Sequence, residues 1–356
     1  MKLGLVRRGY SDTGGAESYV RRFAEAARAA GHEPVLFGSA EWKDAAWEGA
    51  KVIVGGETPR AFANALRKLE PKKHCDFLFS LERVWECDAY RAGDGVHASW
   101  LQRRARHEFW WRPLFRKFQR KHRQLMALER VLFTRGTKCI IANSALVRRE
   151  ITEFFRTPEE RIHIVHNGIP PVPDDPELRL LQRKEFGLAQ NDYALLFAGS
   201  GWERKGLAFA IAALKLLPGA KLFVAGKGRA RKMPRSGQVH FLGAMRRAEM
   251  LALYAAADAF VLPTLYEPFS NACLEAMAAG LPVITTTANG FSEILSVADG
   301  EIVADPSNIP GLAEAIATWS DPAKRAGARE PLKKKAARYS IEANVEQTMA
   351  IIAKAV

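Results

Sequence analysis

Short apolar runs alternate with stretches of helical period along this chain, and the alternation occurs twice. Residues 2–7 read as a buried strand, followed by a loop bearing Gly9, Gly14 and Gly15. Apolar positions at helical spacing then run from about residue 16 to 30, stop at Gly31, and give way to a second strand at 34–38. Strand, helix and strand in that order make a unit with parallel strands. Further strands are expected at 51–54, 77–80 and 138–142. The segment IPPVPDDP, 169–176, carries a proline and aspartate cluster that neither a helix nor a central strand tolerates. Beyond it the pattern restarts, with strands at 194–198, 221–225, 240–242, 259–262 and 282–286 and helices from about Leu207, from about Glu249 and after Ser270. The fold class is therefore α/β, with two facing Rossmann-like domains and a cleft between them: 1–168, a linker at 169–176, and 177–340. In the closing stretch, SIEANVEQTMAIIAKAV, Ser340 is a good N-cap. Ile341, Val345, Met349, Ile352 and Val356 line one helical face, so a helix over 341–356 is expected to pack back on the first domain.

Composition agrees with two domains, because 356 residues exceed the size at which one core usually stops growing. Hydrophobic residues at 48% and charged residues at 26% are ordinary for a globular chain, and no run approaches the ~18 apolar residues that a membrane span needs. Two arginines in MKLGLVRRGY stand where a signal peptide has its apolar core, so a cytoplasmic protein is expected. Cys75, Cys87, Cys139 and Cys273 are scattered without CxxC or zinc spacing and read as reduced and structural. Charge is unevenly spread. Residues 1–170 hold 31 Lys+Arg against 20 Asp+Glu, and the remainder 22 against 19, within a net charge of +14. An acidic partner would therefore meet the first half: nucleic acid, anionic lipid or a phosphorylated acceptor.

Candidate chemistry concentrates in YEPFSNACLEAMAAGLPVITT, 266–286. Glu267 precedes Pro268, which makes its backbone extended, and it follows the strand at 259–262 at the edge where open α/β sheets bind ligands. Ser270 or Asn271 can cap the next helix, Gly280 ends it, and Pro282 prevents its continuation. The amides at the helix start suit a phosphate. A ligand with an anionic centre and hydroxyls on either side would explain both Glu267 and Glu275; the alternative is that Glu275 pairs with a nearby cation and Glu267 is a solvated loop acid. AGSGWERKGL, 198–207, offers a small-residue loop and then Arg204 and Lys205, two cations suited to a diphosphate leaving group, or else a solvated basic turn. Gly226 and Gly228 either border a nucleobase or form a plain turn. The chain has no Asp-x-Asp and no His, Cys and acid cluster at ligand spacing, so no metal is expected: cationic side chains and a helix terminus would replace it on the diphosphate.

Together these residues resemble the retaining glycosyltransferase family 4 of GT-B fold, whose signature is a glutamate, seven residues and a second glutamate, here Glu267 to Glu275. The resemblance covers nearly the whole chain: the Gly14, Gly15 loop, HNGI at 166–169, the Arg-Lys-Gly loop and the C-terminal helix. RAGDGVH, 91–97, and the basic aromatic region after it are most similar to the lipopolysaccharide core glucosyltransferase I group. The resemblance implies an acceptor-binding first domain and a donor-binding second one, with a UDP-sugar as co-substrate and no cofactor. It gives Glu267 the hydroxyls of the donor sugar, Glu275 the ribose hydroxyls, and Arg204 and Lys205 the phosphates. Pro268, Phe269, Ser270 and Asn271 would line the donor, and Gly14 and Gly15 would admit close backbone approach to it. Ser270 stands where glycine is frequent in the motif. His97 would meet the transferring sugar, Asp94 would orient the acceptor hydroxyl or the loop, and Asp12 is an acceptor-side candidate. The implied reaction is front-face attack with retention, in which the departing phosphate oxygen takes the acceptor's proton. Orientation and charge stabilisation then supply most of the rate. Glucose from UDP-glucose, moved to an inner-core sugar of lipopolysaccharide at the cytosolic face of the inner membrane, is the expected transfer. Another family 4 enzyme such as a mannosyltransferase, a nucleotide-sugar epimerase of similar fold, and a non-enzymatic basic binding protein are the alternatives.

Residues 100–123, WLQRRARHEFWWRPLFRKFQRKHR, hold nine Lys+Arg, the single acid Glu108, and Trp100, Trp110 and Trp111. Pro113 suits a first helical turn, after which Leu114, Phe115 and Phe118 share one side and Arg116, Lys117, Arg120 and Lys121 spread around the other. Such a surface fits an anionic bilayer, with the aromatics entering the interface. A solvated basic helix is the rival. Single-stranded nucleic acid would need a module that the chain lacks, so no nucleic-acid partner is expected. Leu125, Leu128 and Leu132 read as packed core in either case. Changing Arg116, Lys117, Arg120 and Lys121 to Ser should weaken sedimentation with anionic vesicles by about 1 kcal/mol per charge; unchanged partition would favour the solvated helix.

Overall fold

The computed structural model describes every residue except 11–14, 43–46, 108–119, 174, 190, 231–232, 234–235 and 356. The chain forms two compact units, Met1–Asn167 with Ile341–Val356, and Gly168–Ser340.

The first unit is built on strands β1 (Lys2–Val6), β2 (Glu33–Gly38), β3 (Lys51–Ile53), β4 (Phe77–Ser80), β5 (Ala89–Ala92), β6 (Cys139–Ala142) and β7 (Ile162–Ile164). They are parallel throughout, in the order β3-β2-β1-β4-β5-β6-β7. Strands β1, β2, β4 and β6 are near-continuous apolar runs because helices cover both faces of such a sheet. Strands β5 and β7 were not expected from the sequence. AYRA and IHI are short and each carries a polar residue, so they become strands by pairing with β4 and β6 rather than by local pattern. The crossover helix Gly15–Ala29 buries Val20, Phe23, Ala24 and Ala27. Helix Ile341–Ala355 lies beside it, and Ile341, Val345 and Ile352 join Leu3, Leu5, Val20 and Phe23 in one cluster. Met349 is partly buried at its edge. Two polar residues are buried with this face: Asn344 donates to the His166 carbonyl, and Thr348 Oγ1 lies 3.5 Å from Tyr19 Oη.

The second unit carries β8 (Tyr193–Ala198), β9 (Ala220–Ala225), β10 (Val239–Gly243), β11 (Ala259–Leu262), β12 (Val283–Thr286) and β13 (Gly300–Val303). These are also parallel, in the order β10-β9-β8-β11-β12-β13. Strand β13, GEIV, is the edge strand that the sequence pattern passed over. Ile169 is buried in this unit's core and pairs in parallel with Ser340, so the chain enters and leaves the unit side by side. Asp175 then caps helix Pro176–Glu185, its Oδ1 accepting from the amides of Glu177 and Leu178.

That helix delivers Arg179 and Arg183 to Asp258, which lies just before β11 and is almost wholly buried. Arg179 Nη2 is 2.7 Å from Oδ1, Arg183 Nη1 3.0 Å from Oδ2, and Arg325 Nη2 3.5 Å from Oδ1. The Ala194 amide also donates to Oδ2 at 2.8 Å. One carboxylate thus joins two strand starts and two helices. Asp258→Ala should lower the unfolding free energy by about 3–5 kcal/mol, because three guanidinium groups lose their counter-ion. Urea denaturation measures this, and a change below about 1 kcal/mol would contradict it.

Candidate functional site

In the second unit the loop after β8 is pressed against the loop after β11. Gly206 has φ +75°, and a Cβ there would lie 1.8 Å from the Pro263 carbonyl oxygen. Only glycine meets both conditions. The closure is completed by Leu265 N and Thr264 Oγ1, which each donate to the Arg204 carbonyl at 2.8 Å. Trp202 is buried, and its Nε1 donates to the Gly199 carbonyl at 3.0 Å. A Cβ on Gly228 would stand 2.2 Å from the Trp202 ring, and one on Gly226 2.3 Å from the Gly199 carbonyl oxygen. The glycines of the AGKG segment, just after β9, thus let it pack closely on the loop after β8.

This closure brings Arg204, Lys205 and Glu267 into one group. Lys205 Nζ lies 2.8 Å and Arg204 Nη1 3.1 Å from the same oxygen, Glu267 Oε2. Arg204 Nη1 also donates to the Tyr266 carbonyl at 2.9 Å. Glu267 is 12% exposed at its side chain, so it is a shared counter-ion rather than a solvated loop acid, and the basic turn is not free in solvent. Its backbone is extended, as Pro268 requires: Glu267 bridges to Asn289, takes a bond from Gly290 N at 2.9 Å and donates to the Ala288 carbonyl at 3.0 Å. Asn289, itself buried, donates to Thr285 Oγ1 at 3.0 Å and secures that neighbouring segment.

The motif's remaining residues follow. Pro268 and Phe269 are buried, the Phe269 ring set edge-on to Phe291 with centroids 5.7 Å apart. Of the two possible caps, Ser270 is the one used: its Oγ accepts from Cys273 N at 3.2 Å and opens helix Asn271–Ala278, whose first residue Asn271 is exposed. Gly280, at φ +79°, closes the helix. Glu275 has different partners from Glu267. Tyr254 Oη donates to its Oε2 at 2.9 Å, and Arg247 Nη1 is 4.0 Å from Oε1. Burial raises the Glu275 carboxyl above its ordinary pKa, against the opposing effects of Tyr254 and Arg247.

In the first unit, Gly15 begins helix Gly15–Ala29, while Asp12 and Gly14 lie outside the described residues. Glu17, in that helix's first turn, pairs with Arg7 at 2.8 Å, and Arg7 with Glu82 at 3.0 Å. This group sits at the carboxyl ends of β1 and β4. His97 begins helix His97–Ala105 and donates its backbone N–H to Glu129 Oε1 at 2.7 Å. Its ring Nε2 is 2.9 Å from His122 Nδ1. Asp94 is exposed, with Oδ2 3.4 Å from Arg83 Nη1; Arg83 Nε is 2.9 Å from Glu129 Oε1. The sequence reading missed Arg83, His122 and Glu129. The one available signal was Glu129 itself, an acid four positions after Leu125 on the apolar side of a basic stretch. Arg120 and Lys121 are exposed at the start of helix Arg120–Val131, where Leu128 is fully buried, as is Leu132 just beyond it, and Leu125 is half-buried. Trp110, Trp111, Phe115, Arg116, Lys117 and Phe118 lie outside the described residues. Among the described residues, no cluster of three or more His, Cys, Asp or Glu could hold a metal, and no helix is long and apolar enough to cross a membrane.

Residues 13–172 match the family model described as Glycosyltransferase Family 4, and residues 192–321 match Glycosyl transferases group 1. The chain belongs to glycosyltransferase family 4. Among relatives of this family 4 chain, the lipopolysaccharide glucosyltransferase WaaG of Escherichia coli K12 is 31% identical over 218 residues, 55% of this chain and 57% of that protein. A glycogen synthase of Mycobacterium tuberculosis is 36% identical over 214 residues, 56% of this chain and 50% of that protein. The chain spans about half the length of the curated relatives it matches. The crystal structure of WaaG, a glycosyltransferase involved in lipopolysaccharide biosynthesis, aligns with a TM-score of 0.80 at 25% identity, over 98% of this chain and 99% of that one. The fold of the family 4 chain is accordingly GT-B, with one Rossmann-like parallel sheet in each unit.

His97 provides a pH test of this geometry. Burial first, then the charges of Arg83, His122 and Lys121, lower its pKa from 6.5 to about 4. The folded chain thus keeps the ring neutral where the unfolded chain takes up a proton. Stability from the neutral ring is present above about pH 6.5 and is lost as pH falls toward 4. His97→Asn should flatten this acid-side fall in urea-unfolding free energy between pH 6.5 and 4; parallel curves for the two proteins would contradict the assignment.

Proposed function

We propose that this chain transfers a hexose with retention of configuration and without a metal ion: glucose from UDP-glucose, to an inner-core sugar of lipopolysaccharide at the cytosolic face of the inner membrane. The observation that carries the reading is the group of Arg204, Lys205 and Glu267 at the carboxyl edge of the second sheet. WaaG's likeness to both halves of the chain supports the choice of sugar and acceptor.

On this reading the diphosphate displaces Glu267 as the partner of Lys205 and Arg204. The cations then neutralise the charge that grows on the leaving oxygen as its bond to the sugar breaks. Glu267, released from its ion pairs, accepts hydrogen bonds from the sugar's hydroxyls. Glu275 takes the ribose hydroxyls, and amides at the start of helix Asn271–Ala278 face the diphosphate. The acceptor hydroxyl attacks from the leaving-group side and gives its proton to the departing phosphate oxygen. His97 meets the transferring sugar, Asp94 the acceptor side. A neutral imidazole suits that place, since an imidazolium would oppose positive charge developing at the sugar carbon. The basic aromatic stretch holds the first unit at an anionic membrane carrying the acceptor.

Nucleotide sugars should be screened for thermal stabilisation and slow hydrolysis, with and without truncated core acceptors. Turnover without acceptor, yielding an isomerised nucleotide sugar, would identify an epimerase instead. Lys205→Ala and Glu267→Ala should each lower kcat by about 10²-fold or more while far-UV circular dichroism stays native. Full activity in either variant would remove the site.

A further inference from the structure

Helix Arg120–Val131 reaches the start of helix His97–Ala105 at two polar points. At the first, Glu129 is completely buried, and its Oε1 accepts from His97 N at 2.7 Å and from Arg83 Nε at 2.9 Å. Arg83 extends the connection, donating from Nη2 to the Gly95 carbonyl at 3.0 Å and from Nη1 to Asp94 Oδ2 at 3.4 Å. The turn bearing Asp94 and the first residue of the helix are thus held by one buried ion pair. At the second point His122, seven residues and so two turns before Glu129, brings Nδ1 within 2.9 Å of His97 Nε2, with the rings 5.0 Å apart and inclined by 30°.

Stability alone does not account for this arrangement. Among the described residues Glu129 Oε2 has no hydrogen-bond partner, although neighbouring Leu128 and Leu132 are fully buried and an apolar side chain would suit the same interior. The carboxylate does supply two fixed directions, one toward the His97 amide and one toward Arg83. The histidine pair supplies a third constraint. With a single proton between the facing ring nitrogens, one donates and the other accepts, so the contact ties the tautomer of a neutral His97 to that of His122. The other His97 nitrogen then has the complementary character toward a ligand.

We propose that Glu129 and His122 are positioning residues, which together hold His97 in one place and one tautomer for the transfer reaction. The catalytic half of this statement rests on the reading that His97 meets the transferring sugar; the holding contacts do not. Neither residue touches substrate in the proposal, and each acts through His97.

The test uses the full chain labelled with ¹⁵N in histidine, with two-bond imidazole spectra for tautomer and steady-state kinetics with UDP-glucose and a truncated core acceptor. The parent should show His97 as a single neutral tautomer. His122→Ala should give a tautomer mixture, and kcat should fall on the order of 10- to 100-fold with KM for UDP-glucose unchanged. His122→Asn, whose amide can stand in for Nδ1, should restore part of both. Glu129→Gln keeps an oxygen for the His97 amide and should retain more activity than Glu129→Ala, the variant at greater risk of unfolding. Unchanged His97 spectra in His122→Ala overturn the proposal whatever the kinetics. A tautomer change with unchanged kcat supports the holding contact and instead overturns the place given to His97 in the proposed reaction.

Discussion

Glu267 is the point on which the second unit's chemistry turns. One carboxylate oxygen is shared by a lysine and an arginine that arrive from a different loop, and the three charges converge because Gly206 allows the backbone to touch Pro263. A side chain at Gly206 would hold the loops apart. Without the carboxylate, two neighbouring cations would repel. The arrangement gathers two cations around one acid and so leaves a net positive charge fixed at the loop.

The same use of acids recurs through a chain whose net charge is strongly positive. Asp258 gathers Arg179, Arg183 and Arg325; Glu129 holds Arg83; Glu17 and Glu82 share Arg7; and Glu150 takes Arg103 together with Ser99. Each of these carboxylates is buried or nearly so, and arginine is the partner each time. A planar guanidinium can satisfy several acceptors in fixed directions, which a point-like ammonium cannot. Such pairs stabilise little against an apolar replacement, but they fix direction, and most lie where strands end or helices begin. The two units differ in what they present. The second holds two cations around Glu267, whereas the first holds a neutral imidazole at His97 beside a buried ion pair.

Much of the fold was legible in the sequence. Parallel strands covered on both faces leave apolar runs, and glycine and proline mark the ends of elements, so β1, β2, β3, β4, β6, β8, β9, β10, β11 and β12 could be read in order. The C-terminal helix was visible in the spacing of Ile341, Val345 and Ile352. Strands β5, β7 and β13 were not legible, because short segments with a charged or polar residue become strands only when neighbouring strands offer them hydrogen bonds.

The site divides in the same way. Local chemistry alone singled out Glu267, Glu275, Arg204 and Lys205, since a proline, a cap, a glycine loop and paired cations are all properties of adjacent residues; His97 came only from the resemblance to the family. Tertiary structure decided which of them meet: Glu267 belongs with the two cations, while Glu275 belongs with Tyr254 and Arg247. It also supplied Arg83, Glu129 and His122, whose importance comes from partners distant in the chain. Residue order sets periodicity and turn chemistry, which act over a few positions. Which charge balances which depends on distances of a few ångströms between elements, and those distances exist only once the sheets are assembled.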